Sequence, residues 1–213
     1  MSQAQNISLG SEMEADQNSL TDDLELVEQC RNGDSAALEQ IVLKYQNRIY
    51  NVILKICADP DDAAELTQDT FVKVIESFSS FKGESRFYTW AFRIAVNLTL
   101  NYCQRNARFR HCSLDAENDQ NGSQKPQALS DFLSDDNSPD PVSVAQSREL
   151  CESAIKALMK LDDPHRTIVV LRDIEGMNYA QIAEVLDIEL GTVRSRLSRA
   201  RGRLKEILEA NLP

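Results

Sequence analysis

The stretch "GTVRSRLSRARGRLKE", residues 191–206, places Arg194, Arg196, Arg199, Arg201, Arg203 and Lys205 in one run with no carboxylate before Glu206. Guanidinium groups at this density hold phosphates and can pair bidentately with a guanine edge, so the chemistry on offer is recognition of a nucleic acid. A formal net charge of −11 over 213 residues argues against a polyanion partner unless the acids sit elsewhere. They do. Met1 to Glu28 carries Glu12, Glu14, Asp16, Asp22, Asp23, Glu25 and Glu28 with no Lys or Arg, and residues 113–143, rich in Ser, Asp, Asn and Pro, hold Lys125 as their single base. Ser85 to Arg110 is the converse, with Arg86, Arg93, Arg105, Arg108 and Arg110 and no Asp or Glu. Two basic patches are thus set into an acidic chain, and a local field can steer a polyanion even against the total charge.

The second patch has its own chemistry. On a helix turning about 100° per residue, Arg86, Trp90, Arg93, Asn97, Asn101, Gln104 and Arg108 fall on one side. An indole, amides and cations without a carboxylate suit unstacked bases on a phosphate backbone: a π-face to stack on, amides to read edges, guanidinium for phosphate. Phe81 and Tyr88 flank the stripe in "FKGESRFYTW". The competing reading puts Trp90 and Tyr88 in the core and leaves the arginines solvated.

Helices must carry both patches. Asp34 in "NGD" is placed to cap a helix with apolar positions Leu38, Ile41, Val42, Tyr45, Ile49, Val52, Ile53 and Ile56; it stops at "DPDD". A second helix has Phe71, Val74, Ile75 and Phe78 on one side. A third starts near Ser85, with Phe87, Ala91, Ile94, Leu98 and Tyr102 as its buried stripe. Helical patterns resume around Gln146 to Leu161 and from Pro164, which suits a first helical turn. "NYAQIAEVLDIELGTVRSRLSRARGRLKEIL" then reads as a helix-turn-helix. Asn178 caps its first helix, which buries Ile182, Ala183 and Leu186; Asp187, Ile188 and Glu189 turn the chain; Val193, Leu197, Ala200, Leu204 and Leu208 form the seam of the second. Arg194, Ser195, Ser198 and Arg199 project outward, with Arg196 and Arg203 at the margins. A solvated helix usually alternates charge signs, whereas no acid occurs from Leu190 to Lys205. The fold class is therefore all-α: two small helical domains joined by a flexible acidic linker, the C-terminal one containing the helix-turn-helix. We place an acidic disordered extension at 1–23, the first domain at 24–111, the linker at 112–146 and the second domain at 147–213.

The remaining composition narrows the class. A hydrophobic fraction of 42% is ordinary for a globular chain. Cys30, Cys57, Cys103, Cys112 and Cys151 are odd in number and scattered, which reads as reduced packing thiols in a reducing compartment. The first residues lack the basic and apolar regions of an export signal, and no segment has about 18 uninterrupted apolar residues, so the expected location is cytoplasmic with no membrane insertion. His111 and His165 lie in different segments, without a Gly-rich phosphate loop or nucleophile elbow, so no enzyme and no cofactor is expected. His111 with Cys112 and Cys103 fits no four-ligand pattern, and no metal is expected either.

These motifs resemble those of extracytoplasmic-function sigma factors of bacterial RNA polymerase, over about Leu24 to Leu208. "DDAAELTQDTFVKVIESFSSFKGESRFYTWAFRIAVNLTLNY" is similar to sigma region 2, and "LDDPHRTIVVLRDIEGMNYAQIAEVLDIELGTVRSRLSRAR" to region 4. The resemblance implies a promoter-specificity subunit with no covalent chemistry of its own. It implies that Asp62, Glu65, Gln68 and Asp69 dock on the clamp helices of the polymerase β′ subunit. Phe81, Lys82, Gly83, Glu84 and Ser85 then correspond to the loop that captures a base flipped from the −10 element, and Arg93, Asn97 and Asn101 to helix positions that recognise or melt it, joined by Tyr88 and Trp90 of the patch. Arg172, Tyr179, Thr192, Arg194, Ser195, Ser198 and Arg199, with Arg196, correspond to the surface reading the −35 element. The implied partners are core polymerase, promoter DNA and an anti-sigma factor, with the linker in the RNA exit path.

The chain departs from the family pattern in places. Asp187 and Glu189 stand where the turn usually has Gly and Pro; Asp tolerates the left-handed conformation, while Glu189 near DNA would retune −35 contacts. Asp69 replaces the usual Glu. The acidic extension is not a standard part, and electrostatic self-inhibition is one expectation for it. Two alternatives stand beside the sigma reading: a free-standing helix-turn-helix regulator, which leaves the Trp90 and Asn97 face unexplained, and a sigma mimic sequestering an anti-sigma factor, against which the Arg194 and Arg199 face argues.

Overall fold

The computed structural model describes residues 23–112 and 153–211, and every regular element among them is helical. The extension before Asp23, the linker, Cys151 and the side chains of Arg108, Arg110, His111 and Cys112 lie outside the described residues. Helix α1 covers 23–31, ahead of the Asp34 cap where the periodicity starts the first domain. Asp23, counted with the extension from sequence, is buried: its carboxylate accepts from Lys44 Nζ at 2.7 Å and from the Tyr45 hydroxyl. It is part of the folded body.

Helix α2, Ser35–Cys57, starts where Asp34 accepts from the amides of Ala36 and Ala37. It ends on Ala58, whose φ of 65° turns the chain left-handed. Asp59 caps α3, Pro60–Glu76, with Pro60 in its first turn, where a missing N–H costs nothing. A short 3-10 turn, Phe78–Ser80, leads through the 81–86 loop into α4, Phe87–Cys112. In the second domain α5 covers 153–159, and α6, Asp163–Val169, widens into a π turn at Val170–Ile174. Helices α7, Tyr179–Leu186, and α8, Leu190–Asn211, complete it.

The expected stripe of α2 holds, with Ile41, Tyr45, Ile49, Val52, Ile53 and Ile56 buried. That of α3 is corrected at Ile75, which is 42% exposed while Phe71 and Val74 are buried. Helix α4 differs most. Phe87 and Ala91 are buried as expected, but so are Phe92, Ala95, Val96 and Thr99, whereas Ile94, Leu98 and Tyr102 are only half-buried. The reason is packing on two sides: α4 lies against α2 and α3 and also against α7 of the second domain. One hydrophobic cluster accordingly runs through both domains, from Ile41 and Phe92 to Ile168, Ile182 and Leu197. Buried hydroxyls are satisfied locally, Thr70 donating to Leu66 O at 2.6 Å and Thr99 to Ala95 O at 2.8 Å.

The Asp34 cap gives a direct stability test. Asp34→Ala removes the acceptor from two helix-start amides and is expected to lower unfolding stability by about 1 kcal/mol, while Asp34→Asn costs only a few tenths (~0.3 kcal/mol). Urea unfolding followed by circular dichroism measures both.

Candidate nucleic-acid interface

In the helix-turn-helix, Asn178 and Gln181 form a reciprocal cap: each side-chain oxygen accepts from the other's backbone amide at 2.9 Å. Ile182 and Val185 are buried, while Ala183 and Leu186, expected beside Ile182, are half-buried; Val185 takes the inner place. The turn passes through Asp187 with φ 52° and ψ 50°, so Asp does adopt the left-handed conformation there. The Ile188 amide closes it on Ala183 O at 3.1 Å. Helix α8 then buries Val193, Leu197 and Ala200, with Leu204 and Leu208 half-buried at its far end.

That seam leaves Arg194, Ser195, Ser198 and Arg199 exposed on two adjacent turns, as the spacing requires. Arg194, Arg196 and Arg199 have no carboxylate at ion-pair distance among the described residues. The run is nevertheless divided. Arg201, exposed on the same helix, pairs across to Asp173, its Nε 3.1 Å from Oδ2, and this hydrogen bonding raises its pKa further; Lys205 pairs with Glu209 at 3.5 Å. The expectation that the run lacks acidic partners fails at those two residues, because Asp173 comes from the π turn and is distant in sequence, and Glu209 lies one turn beyond the end of the run. Arg172 is half-buried, its Nη1 donating to Met177 O at 2.7 Å and its guanidinium 5.1 Å from the Tyr179 ring centroid, so it braces that ring as well as bordering the face. Thr192 is half-buried, and its carbonyl accepts from the Ser195 hydroxyl at 3.1 Å. Glu189 is exposed beside the first turn of α8, where a negative charge suits the helix dipole.

On α4, Arg93, Asn97, Asn101 and Gln104 are exposed together, a carboxylate-free strip along successive turns. Trp90 borders it half-buried, its ring centroid 5.1 Å from Phe81 and 5.7 Å from Phe87, so the indole is braced from behind. Tyr88 is not on this strip: it accepts from Gln181 Nε2 of α7 at 2.9 Å and lies under the Arg48 guanidinium at 4.9 Å. For Tyr88 the core reading holds. Phe81 is 3% exposed, packed edge-on against Phe87, so it anchors the loop and offers no free ring, while Lys82, Gly83 and Glu84 are exposed and Ser85 half-buried. Gly83 has φ +74°, and a Cβ there would meet Leu24 of α1 at 3.2 Å. The loop base is tied by Arg31, which donates to Phe78 O at 3.0 Å and to Phe81 O. Sequence reading missed Arg31, since nothing local to "CRNGD" points to a loop fifty residues on.

Helix α3 presents a third surface. Glu65, Gln68 and Asp69 are exposed on one face, joined by Val72 at 48% and Ile75 at 42%. Exposed apolar side chains among acids mark a protein contact more than a nucleic-acid one. Asp62 is set apart, half-buried and hydrogen-bonded to the Tyr102 hydroxyl, whose pKa it raises. The spacing of Val72 and Ile75 from Glu65 and Gln68 would have revealed the apolar half of this strip.

No helix among the described residues is long and apolar enough to cross a membrane, and no group of three or more potential metal ligands occurs among them.

Residues 41–109 match the family model of sigma-70 region 2, and residues 151–204 that of sigma-70 region 4. The chain is 33% identical over 188 residues to the RNA polymerase sigma-H factor of Pseudomonas aeruginosa, covering 88% of this chain and 94% of that protein. It is also 33% identical over 186 residues to the ECF RNA polymerase sigma-E factor of Escherichia coli K12, covering 85% and 91%. Among solved structures, CnrH in complex with the cytosolic domain of CnrY aligns with a TM-score of 0.61 at 23% identity, over 90% of this chain and 99% of that one. The sigma factor RpoE of Bartonella quintana, in complex with the anti-sigma factor NepR, aligns with a TM-score of 0.60 at 22% identity, over 82% and 98%. Those likenesses establish the fold, and the curated relatives carry the assignment: with both conserved sigma modules in order and helical surfaces of the right chemistry on each, this chain belongs to the extracytoplasmic-function sigma factors of the sigma-70 family.

Proposed function

We propose that the chain directs core RNA polymerase to a set of promoters, with its two domains (24–111 and 147–213) engaging two DNA elements. The observation that carries this is the pair of carboxylate-free polar faces on separate helical modules, Arg93, Asn97, Asn101 and Gln104 on α4 and Arg194, Ser195, Ser198 and Arg199 on α8. The α8 face, bordered by Arg172, Tyr179, Thr192 and Arg196, reads the −35 duplex from the major groove, with Arg194 and Arg199 pairing to base edges or phosphates. The α4 strip and the 82–85 loop hold the opened −10 strand, the braced face of Trp90 stacking at the upstream edge and the amides of Asn97 and Asn101 reading unpaired bases. The α3 surface of Glu65, Gln68, Asp69, Val72 and Ile75 docks on the clamp helices of β′, with Asp62 orienting through Tyr102. An anti-sigma factor is the natural antagonist, as the structurally similar RpoE is captured with one. The protein works in the cytoplasm, with polymerase, and performs no covalent step.

Separate substitutions assign the two faces. Arg194→Ala is expected to weaken binding to a −35 duplex by about 1–3 kcal/mol and to relax base preference at one position. Binding to duplexes substituted base by base in varied salt measures this, and a uniform loss across all sequences would make Arg194 a phosphate contact only. Asn97→Ala should leave that duplex affinity unchanged while reducing promoter opening by holoenzyme, read by permanganate reactivity of unpaired thymines. Asp69→Lys is expected to weaken association with core polymerase while sparing binding to the isolated −35 duplex. If the wild-type chain binds the duplex but never core polymerase, the free-standing regulator replaces the sigma reading.

A further inference from the structure

Leu190 opens α8, the second helix of the helix-turn-helix, with its side chain left 38% exposed. Residues four apart are neighbours on a helix surface, so Leu190 stands one turn ahead of Arg194, and Arg194 one turn ahead of Ser198. It therefore continues the exposed face of Arg194, Ser195, Ser198 and Arg199 towards the start of the helix.

The turn itself does not call on this leucine. Its backbone closes through the Ile188 amide on Ala183 O at 3.1 Å and the Val193 amide on Glu189 O at 3.0 Å. With Glu189 at the cap position, Ile188 and Val193 occupy the two places, one before the cap and four after it, whose apolar side chains staple a helix start. Both belong to the hydrophobic cluster. The apolar closure of α8 is thus supplied from the inner side, while Leu190 faces out.

Its neighbours fit the edge of a base better than a phosphate. Gly191 follows without a positive φ, and a Cβ there would meet no atom within 4 Å, so neither backbone nor packing demands glycine. Glycine weakens a helix relative to alanine, and what it supplies in return is room for a ligand to approach the backbone. Glu189, exposed beside it, puts a carboxylate where a helix start would otherwise attract phosphate. The first cation of α8 is Arg194, a full turn later.

In helix-turn-helix docking, the N-terminal residues of the second helix meet base edges in the major groove. The groups displayed there are hydrogen-bond donors and acceptors, with one apolar exception, the 5-methyl group of thymine. A leucine at this place has that methyl as its favourable partner on the duplex. We infer that Leu190 is a specificity-determining residue that selects thymine at one position of the −35 element by packing on its methyl group, an assignment that rests on the −35 reading of α8 proposed above. The contact removes apolar surface from water and releases no counter-ion, so it adds selectivity without adding salt dependence.

The test uses holoenzyme reconstituted from core polymerase and the full chain. A −35 element is selected from duplexes randomised over that element, and its thymines are then replaced one at a time by deoxyuridine, which keeps every hydrogen-bonding group and removes the methyl alone. Wild type is expected to lose about fourfold in affinity at one thymine, the worth of one buried methyl group. Leu190→Ala should bind the thymine duplex no better than wild type binds the uracil one, and should distinguish the two by less than about twofold. Leu190→Met, apolar and of similar volume, should keep the discrimination. The slope of log affinity against log salt is expected to be the same for all three proteins, because no phosphate contact is lost. Circular dichroism with thermal unfolding checks that both variants fold, and the comparison of thymine with uracil in wild type needs no variant. Wild type indifferent to every uracil replacement overturns the inference, as does a selected element without thymine or a Leu190→Ala variant that keeps the wild-type discrimination. If no sequence is selected over random duplex, the −35 reading of α8 fails and the role of Leu190 falls with it; a selected element insensitive to its methyl groups removes Leu190 alone.

Discussion

A basic face remains available to a polyanion only if nearby carboxylates are engaged elsewhere, and in a chain of net charge −11 this constraint shapes the folded domains. Several acids of the modules are occupied. Asp34 and Asp59 accept from helix-start amides, Asp23 holds Lys44 and Tyr45, Asp62 holds Tyr102, Asp163 holds Arg166 at 2.7 Å, and Asp173 holds Arg201. All but Asp173 are directed inward or along the backbone, while Asp173 lies against α8 and takes up the charge of Arg201. Much of the positive field on the two strips comes from Arg93, Arg194, Arg196 and Arg199, so the placement of the acids bears on its strength.

Placement in turn depends on α4. This helix is packed on two sides, and among its described residues the exposed strip is the one lacking both large apolar residues and acids. Its aromatic start, with Phe87 between Tyr45, Phe78, Phe81 and Trp90, fixes the preceding loop from inside while Arg31 fixes it from outside. The loop tip is left exposed on a rigid base, the arrangement a strand-capturing element needs to avoid losing affinity to ordering on contact. Cys57, at the α2 end of the domain seam, is half-buried, and burial pushes its thiol up to about 12, so it stays protonated at neutral pH.

Much of this was legible in the residue pattern. The Asp34 and Asn178 caps, the α2 stripe, the turn at Asp187 and the outward positions on α8 follow from period, capping chemistry and backbone preference, all local signals. The exposed strip of α4 was also legible, because an absence of acids over twenty-odd residues is a sequence property. What escaped was non-local. Val96 and Thr99 look like the flank of an amphipathic helix until packing on both sides of α4 buries them; Tyr88 looks like part of the strip until Gln181 takes its hydroxyl; Phe81 looks available until Phe87 and Trp90 enclose it. Asp173 and Arg201, or Glu175 and Lys55, carry no mark in sequence that they face each other, since electrostatic partners obey no period.

The two kinds of charge contact also answer differently to solution conditions, and this separates holding from reading. The contacts to DNA proposed for the exposed Arg194 and Arg199 would gain from counter-ion release and weaken steeply with salt. The Glu175–Lys55 contact is buried and only weakly screened, as is the apolar packing of α4 on α7. Rising salt thus weakens the proposed contacts to DNA while leaving the packing between the domains nearly intact. A partner that grips one domain through apolar contacts, as the exposed Val72 and Ile75 of α3 allow, keeps its hold under the same conditions.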